Sequence, residues 1–389
     1  IELSVFYTFV FKDTTNYQHD IQKFSETIIS NNEYIRNEKR LNKGLIFEKL
    51  SEDLNSKFVI EEAIDTSVIL FIKEKRPTSE WINLNDENMM AYIKDEILEN
   101  FEKDFLNMRK SLGKNVAGER IKTTNLDNVM KFIDNNFEDQ EFVNPMKVFN
   151  KILEMIENKN MYEGSNSNEL FLAKKSQPEA SREIYEQSLS GKICTFLIQK
   201  IFKVLNKMEQ REMVVESQKD KATLIRESTK LLTKKRNENE IVVYHNGDMS
   251  AWSGRDIFIK FFLLIDIFEK RKVFGPKIIS ILKFCLSKTC QSKIYIGKKN
   301  EEKIRDPKIL EFLKRDENGQ SYLEYEFSWG QGLFHNMSSF VHALEQRFRQ
   351  SLFKTYLKRN FGYELNLENW FQTEHSDDKN EVILLDKRF

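Results

Sequence analysis

Three carboxylates in this sequence stand where carboxylates can do chemistry. Asp248 follows a run of β-formers, Ile241-Val242-Val243-Tyr244, and then His245, Asn246 and Gly247. Behind it, Ser250 to Gly254 is small and polar apart from Trp252. From Arg255 the apolar residues Ile257, Phe261, Leu264, Ile265 and Phe268 recur at helical spacing. An acid at the end of a rigid strand, ahead of a turn and an apolar helix, faces a cleft, and that is an address for metal-binding catalysis. Alone, such an Asp is as a rule a turn or cap residue. Asp377 and Asp378 come much later, in a polar turn between apolar runs around Trp370 and at Val382–Leu385. That pattern predicts a β-hairpin with two adjacent acids at its tip. An acid pair in a turn is ordinarily a solvated loop. Its weight comes from Asp248 and from the stretch WGQGLFHNMSS at 329–339 that lies between them.

The elements that must position these acids can be read around them. Residues 1–12 and Ser67–Ile72 are β-rich and predict buried strands. A helix is expected around 19–29, and another from Asn85 with Met89, Ile93, Ile97, Phe101, Phe105 and Met108 on one stripe. Residues 110–124 form a basic loop, either solvated or bordering a channel. Residues 125–170 look helical and end in a flexible break at 164–168. Helical periodicity returns at Leu189–Met208, at 219–237, and from Pro276 to about Cys290, where Pro fits the first helical position. Residues 292–318 are charged and read as a surface insertion. A half-buried strand follows, with Tyr322, Glu324 and Glu326 on one face and Leu323, Tyr325 and Phe327 on the other. After the Gly-rich turn Ser328–Gly332 comes a long helix with Met337, Val341, Leu344, Phe348 and Leu352 on one face.

Composition sets bounds on this reading. The 389 residues carry 61 Lys+Arg and 61 Asp+Glu, so the chain lacks the basic excess of a simple nucleic-acid-coating protein. A locally basic channel remains compatible with neutrality. Apolar runs are too short to cross a bilayer. Three cysteines, Cys194, Cys285 and Cys290, lack zinc-ligand spacing and read as reduced, mostly buried thiols.

In order and spacing, these segments resemble a known set. Asp248-Met249-Ser250-x-Trp252-Ser253, then Gln331-Gly332 with Ser338-Ser339, then His375-Ser376-Asp377-Asp378, are similar to motifs A, B and C of the RNA-dependent RNA polymerases of segmented negative-strand viruses. Within that group the resemblance is to the large (L) proteins of bunyaviruses, especially the orthobunyavirus and tospovirus branch. Upstream, Arg182-Glu183-Ile184-Tyr185 and Glu212-Met213-Val214-x-Glu216 resemble the group's pre-motif A region, or motif F. The likeness covers about 171–389.

The resemblance implies a helix-rich α/β (α+β) fold with a right-hand polymerase palm and fingers and no thumb. Residues 1–170 would be an upstream fingers or core-lobe region and 171–389 the fingers–palm region with motifs F, A, B and C. It implies template-directed RNA synthesis with Mg²⁺ (or Mn²⁺) held by Asp248, Asp377 and Asp378, since hard ions that keep their waters need only one or two carboxylates each. Arg182 would neutralise the nucleotide triphosphate, with Lys174 and Lys175 as weaker candidates. Trp252, Gln331 and Gly332 would line the nucleotide and RNA path. Ser338 and Ser339 would cap the helix or bond a ribose 2′-OH. His375 has an orienting or structural role in this reading.

One position departs from the group's pattern. Its motif A has Lys where this chain has Ala251, so a cation near the nucleotide is missing unless Arg255 or Lys260 replaces it. A catalytically inactive RNA-binding remnant is therefore the alternative reading. The implied partners are RNA template and product, nucleoside triphosphates, nucleoprotein-coated viral RNA and the rest of an L protein, in host cytoplasm and virion. Polymerases of this group continue into motifs D and E and carry an N-terminal endonuclease. The chain is accordingly expected to be an internal fragment, inactive in isolation.

Overall fold

The structure, a computed structural model, describes residues 21–37, 56–74, 84–96, 150, 153–154, 168–173, 184–187, 189–209, 211–215, 218–248, 258–290, 292–325, 328–330, 333–375 and 378–388, at some positions by backbone alone. The expected strand at 1–12, the basic loop at 110–124 and most of 125–167 lie outside these residues. So do Ile97, Phe101, Phe105 and Met108 of the expected long helix.

Among the described residues three helices come first: α1 (Ile21–Asn37), α2 (Ser56–Glu74) and α3 (Asp86–Glu96). α2 overturns an expectation, because the β-prone run Ser67–Ile72 lies inside it. Ala63, Ile64, Ser67, Val68 and Phe71 are buried, a spacing that makes one helical face rather than a strand's alternation. Ser67 Oγ donates to the Ala63 carbonyl at 2.8 Å, one turn back. Packing of this face on two later helices outweighs the modest helix penalty of its β-branched residues.

The chain continues through β1 (Asn168–Ala173), β2 (Ile184–Gln187), α4 (Leu189–Met208), α5 (Gln218–Lys235), β3 (Glu240–Asp248), α6 (Ile259–Lys270) and α7 (Pro276–Thr289). Asn168 to Leu170, expected at the end of a helical stretch, open a strand instead. Next are β4 (Ser292–Tyr295), α8 (Lys298–Glu301), α9 (Pro307–Phe312), β5 (Lys314–Arg315), β6 (Ser321–Tyr325), α10 (His335–Phe361), β7 (Trp370–His375) and β8 (Asp378–Asp386). The fold is α+β and helix-rich, with a five-stranded sheet in the order β2-β1-β4-β6-β5 and a three-stranded sheet in the order β3-β8-β7.

Residues 292–318 are not a surface insertion. β4 is the middle strand of the five, parallel to β1 and antiparallel to β6, and Ile294, Ile296, Ile304 and Ile309 are buried. Charged residues on two short helices mask these few isoleucines in the sequence. β6 is also covered on both faces. Leu323 and Tyr325 enter the main core, while Tyr322 packs with Phe171 and Tyr295 in a separate cluster. Its expected half-burial took Glu324 as typical of a face that aromatic rings in fact cover.

α4 and α10 lie at the centre of the main core, with α2, α6 and α7 around them. Phe340 of α10 meets Phe71 at 5.1 Å and Phe202 at 5.8 Å, both edge-on. Each such ring, fully buried, contributes on the order of 2–3 kcal/mol. α7 begins with Pro276 and has no side-chain cap of its own. Asp86 of α3 supplies one, accepting from the Lys277 and Ile278 amides at 2.9 and 3.0 Å. Gly275 permits this, since a Cβ there would come within 2.5 Å of the Asp86 carboxylate. A second, smaller core of Leu357, Leu365, Trp370, Ile383 and Leu385 joins the far end of α10 to the three-stranded sheet. At about 1.5 Å per residue α10 is about 40 Å long and links the two cores. Among the described residues no helix is long and apolar enough to cross a membrane.

Candidate active site

The three-stranded sheet carries the acids. β3 and β8 pair without interruption from Glu240↔Asp386 to Asp248↔Asp378, and β7 adds His375↔Asp378. The backbone therefore brings Asp248, Asp378 and His375 into one row across three strands at one end of the sheet. Asp377 lies outside the described residues, as do the side chains of that row.

Apolar residues line both faces of β8 along this ladder. Ile383, Leu385 and Trp370 are buried against α10, with Ile241 and Val243 partly buried beside them. Positions 244, 246 and 248 belong to the opposite set in the strand's alternation, and Tyr244 there is 58% exposed. On β8 both sets are apolar, because Val382 and Leu384 are buried as well as Ile383 and Leu385, and the register is that of the uninterrupted β3–β8 ladder. Asp248 and Asp378 are opposed as the last pair of that ladder.

Between the acid row and the apolar row lies a polar one that the sequence did not single out. His245, Glu381 and Gln372 are partners across β3, β8 and β7. Glu381 is buried, and its Oε2 meets His245 Nδ1 at 2.6 Å, Arg349 Nη2 at 2.7 Å and Lys379 Nζ at 3.5 Å. Gln372 donates to Gln346 of α10 at 3.2 Å. Its only sequence signal is an acid within a strand otherwise apolar from Val382 to Leu385.

The Gly-rich turn is described at Ser328, Trp329 and Gly330, whereas Gln331 and Gly332 lie outside. Gly330 abuts Tyr185 of β2, where a Cβ would lie 3.0 Å from the ring. The Tyr185 and Tyr325 hydroxyls are 2.9 Å apart. The segment after Arg182 thus touches the turn, although Arg182, Lys174, Lys175, Ala251 and Trp252 themselves are outside the described residues.

α10 starts at Phe334 without a side-chain cap. Gln199 of α4 takes that place, donating to the Leu333 carbonyl at 2.7 Å and accepting from the Asn336 amide at 2.6 Å. Ser338 and Ser339 are not caps, and both are buried. They fall within the first turn, where Ser338 Oγ donates to the His335 carbonyl at 3.2 Å and Ser339 Oγ to Glu212 Oε2 at 2.6 Å. Glu212 also accepts from the Val214 amide at 2.6 Å. Burial pushes its carboxyl up to about 7; the Ser339 and backbone hydrogen bonds oppose that shift, and nearby Glu209 adds to it.

Glu209 pairs in turn with Arg347 of α10 through two bonds, at 2.7 and 3.0 Å, and Arg347 also meets Glu74 of α2. Lys260, expected as a possible replacement cation, is not exposed. It is buried in α6, its ammonium 5.1 Å from the centre of the Phe261 ring, on a small cavity with Ile64, Ser67 and Glu345. Cys194 and Cys285 are buried thiols and Cys290 is half-buried. Burial and the adjacent Cys194 push the Cys285 thiol up. Among the described side chains no group of three His, Cys, Asp or Glu could hold a metal ion.

The chain is 23% identical over 209 residues to the RNA-directed RNA polymerase L of Bunyamwera virus. The match covers 48% of this chain and 9% of that protein. No family model matches the chain. The likeness supports a distant relationship to a bunyavirus L polymerase.

Proposed function

We propose that this chain carries the metal-binding part of a template-directed RNA polymerase, in which Asp248, Asp377 and Asp378 hold Mg²⁺ or Mn²⁺. The observation that carries this reading is the register pairing of Asp248 with Asp378. Directly opposed residues have Cβ atoms about 4.5–5.5 Å apart, so carboxylates at such positions are within reach of one ion. All-oxygen donors suit a hard divalent cation. When bound, two such ions stabilise the attacking and leaving oxygens of phosphoryl transfer.

The chain's own residues supply position and charge. The uninterrupted β3–β8 ladder holds the acid pair opposite one another. Gly330 lets the turn before α10 lie against Tyr185, and the neighbouring Gln331-Gly332 would border nucleotide and template. Arg182, just before β2, would meet the triphosphate with its planar fork. Palm and fingers are the corresponding names for the three-stranded sheet and for the five-stranded sheet with its helices.

Asp248→Asn and Asp378→Asn in the full protein test the reading, using extension of an RNA primer with ribo- and deoxyribonucleotides in Mg²⁺ and in Mn²⁺. Each substitution should lower ribonucleotide incorporation by about a thousand-fold or more, equivalent to several kcal/mol of lost charge stabilisation. Ala251, where the similar polymerases have Lys, favours a second reading as an inactive RNA-binding remnant. RNA binding without incorporation in either metal would establish that reading. A parent active with its acids replaced would remove the first.

A further inference from the structure

The reaction proposed above makes no use of the polar row beside the acids. Glu381 lies three residues beyond Asp378 and is 1% exposed. Its Oε2 gathers groups from three elements: His245 from β3, Arg349 from α10 and Lys379 from β8 itself. Its other oxygen, Oε1, is buried without a hydrogen-bond partner among the described residues. Gln372, its neighbour on β7, is also buried and reaches α10 through Gln346, whose Nε2 lies 3.0 Å from His342 Nε2.

An apolar seam alone would hold α10 on the sheet, because such contacts are favourable over a range of angles. Bonds to a buried carboxylate are directional and short, and they select one arrangement. The row they tie down is three residues from Asp248 on one strand and three from Asp378 on the other. The helix they tie to begins directly after the Gly-rich turn.

We propose that Glu381 is a positioning residue that sets α10, and with it the Gly-rich turn, against the strands bearing Asp248 and Asp378. This rests on the polymerase reading. Glu381 touches neither nucleotide nor metal; it acts through Arg349 and His245. Its loss changes the geometry of the reacting groups more than the affinity for nucleotide.

The test measures kcat and nucleotide KM for single-nucleotide incorporation by the full protein as wild type, Glu381→Gln, Arg349→Gln and the double variant, with melting temperatures alongside. Glu381→Gln keeps the shape and removes the charge. It should lower kcat ten- to hundred-fold, the size of effect that a misplacement near 1 Å produces, with KM within two-fold of wild type. Arg349→Gln should lower kcat in the same sense, and the double variant should be no worse than Glu381→Gln because both remove one link. A kcat within two-fold of wild type, a loss confined to KM, or multiplicative effects of the two substitutions would overturn the role. If Glu381→Gln does not fold, Arg349→Gln decides: a fall in kcat at constant KM supports the role and an unchanged kcat overturns it. A wild type that incorporates no nucleotide in any metal overturns the polymerase reading and this role with it, whereas an active wild type indifferent to these substitutions overturns this role alone.

Discussion

Arg347 and Arg349 stand two residues apart on α10, a turn of about 200° around the helix, and they serve two different parts of the molecule. Arg347 is 1% exposed and faces the main core, where Glu209 takes it through two bonds and Glu74 through a third. Arg349 is 42% exposed and faces the three-stranded sheet, where it has Glu381. On the first side, the main core gathers rings and aliphatic chains from α2, α4, α6 and α7. On the second, the described residues that face α10 are a cluster of five buried residues and one polar row, while α5 also contacts β7 and β8, where Val382 and Leu384 are buried. The scaffold is thick and the candidate site is thin. The helix joining them is anchored unequally, firmly to the body and lightly to the strands that carry the acids.

The largest expected effect breaks the firm anchor. Arg347→Ala leaves Glu209 buried without its main partner and should destabilise the fold by about 3–5 kcal/mol. Arg349→Ala leaves the buried Glu381 with His245 and Lys379 and removes a partly exposed arginine, so its cost should stay near or below about 1 kcal/mol. Denaturant unfolding with hydrogen exchange across α4 and α10 measures both. Equal losses would show that the two sides of α10 are held alike.

Next in size is Glu212, which sits on the scaffold side beneath Ser339. Its carboxyl is raised from the usual 4.5 to about 7 in the folded chain, first by burial. The folded state therefore holds a proton that the unfolded state releases between these values. The Glu212 contribution is fully present below about pH 4.5, falls as pH rises toward 7 and is flat above it. The loss is on the order of 3 kcal/mol. Glu212→Gln should remove this slope, so the variant's stability relative to wild type should rise by about that amount between pH 4.5 and 7. Parallel pH–stability curves for the two proteins would mean that Glu212 stays charged when folded.

The same contrast marks what could be read in the sequence. α4, α6, α7 and α10 repeat apolar residues at the helix period over enough positions to be legible, and the β7–β8 hairpin shows as two apolar runs about a polar turn. The acids stood out because they interrupt such periods at strand ends. α2 did not, because Ser67–Ile72 favours strand locally and only packing on α6 and α10 makes it helical. β4 is four residues long among charged neighbours and carries too little pattern to be seen. Ser338 and Ser339 look like cap residues until Gln199, far back in the chain, is found doing that work. Glu209–Arg347 and Glu381–Arg349 join residues distant in sequence, and a single charged residue carries no mark of whether its partner is solvent or another buried charge.

The smallest expected effect lies next to the acids and tests how thin the site is. Gly247, one residue before Asp248, pairs with Lys379 across the ladder. A Cβ there would lie 2.8 Å from Lys379 Cε and 3.1 Å from Cγ, so the lysine stem runs flat over the glycine. Among the described residues Gly247 has no positive φ, so alanine fits its backbone. It would gain about 0.5–1 kcal/mol from lost unfolded-state freedom. Against this, Lys379 must move by a few tenths of an ångström, giving up its 3.5 Å approach to Glu381. Because the displaced atoms belong to a flexible side chain, stability should change by less than about 1 kcal/mol in either direction. On the polymerase reading proposed above, nucleotide incorporation by the full protein should fall two- to five-fold, about 0.4–1 kcal/mol in the barrier, since the shift occurs beside Asp248. A stability loss above about 2 kcal/mol, of the size large core changes produce, would show that the sheet is packed as tightly as the scaffold and would remove the inequality across α10.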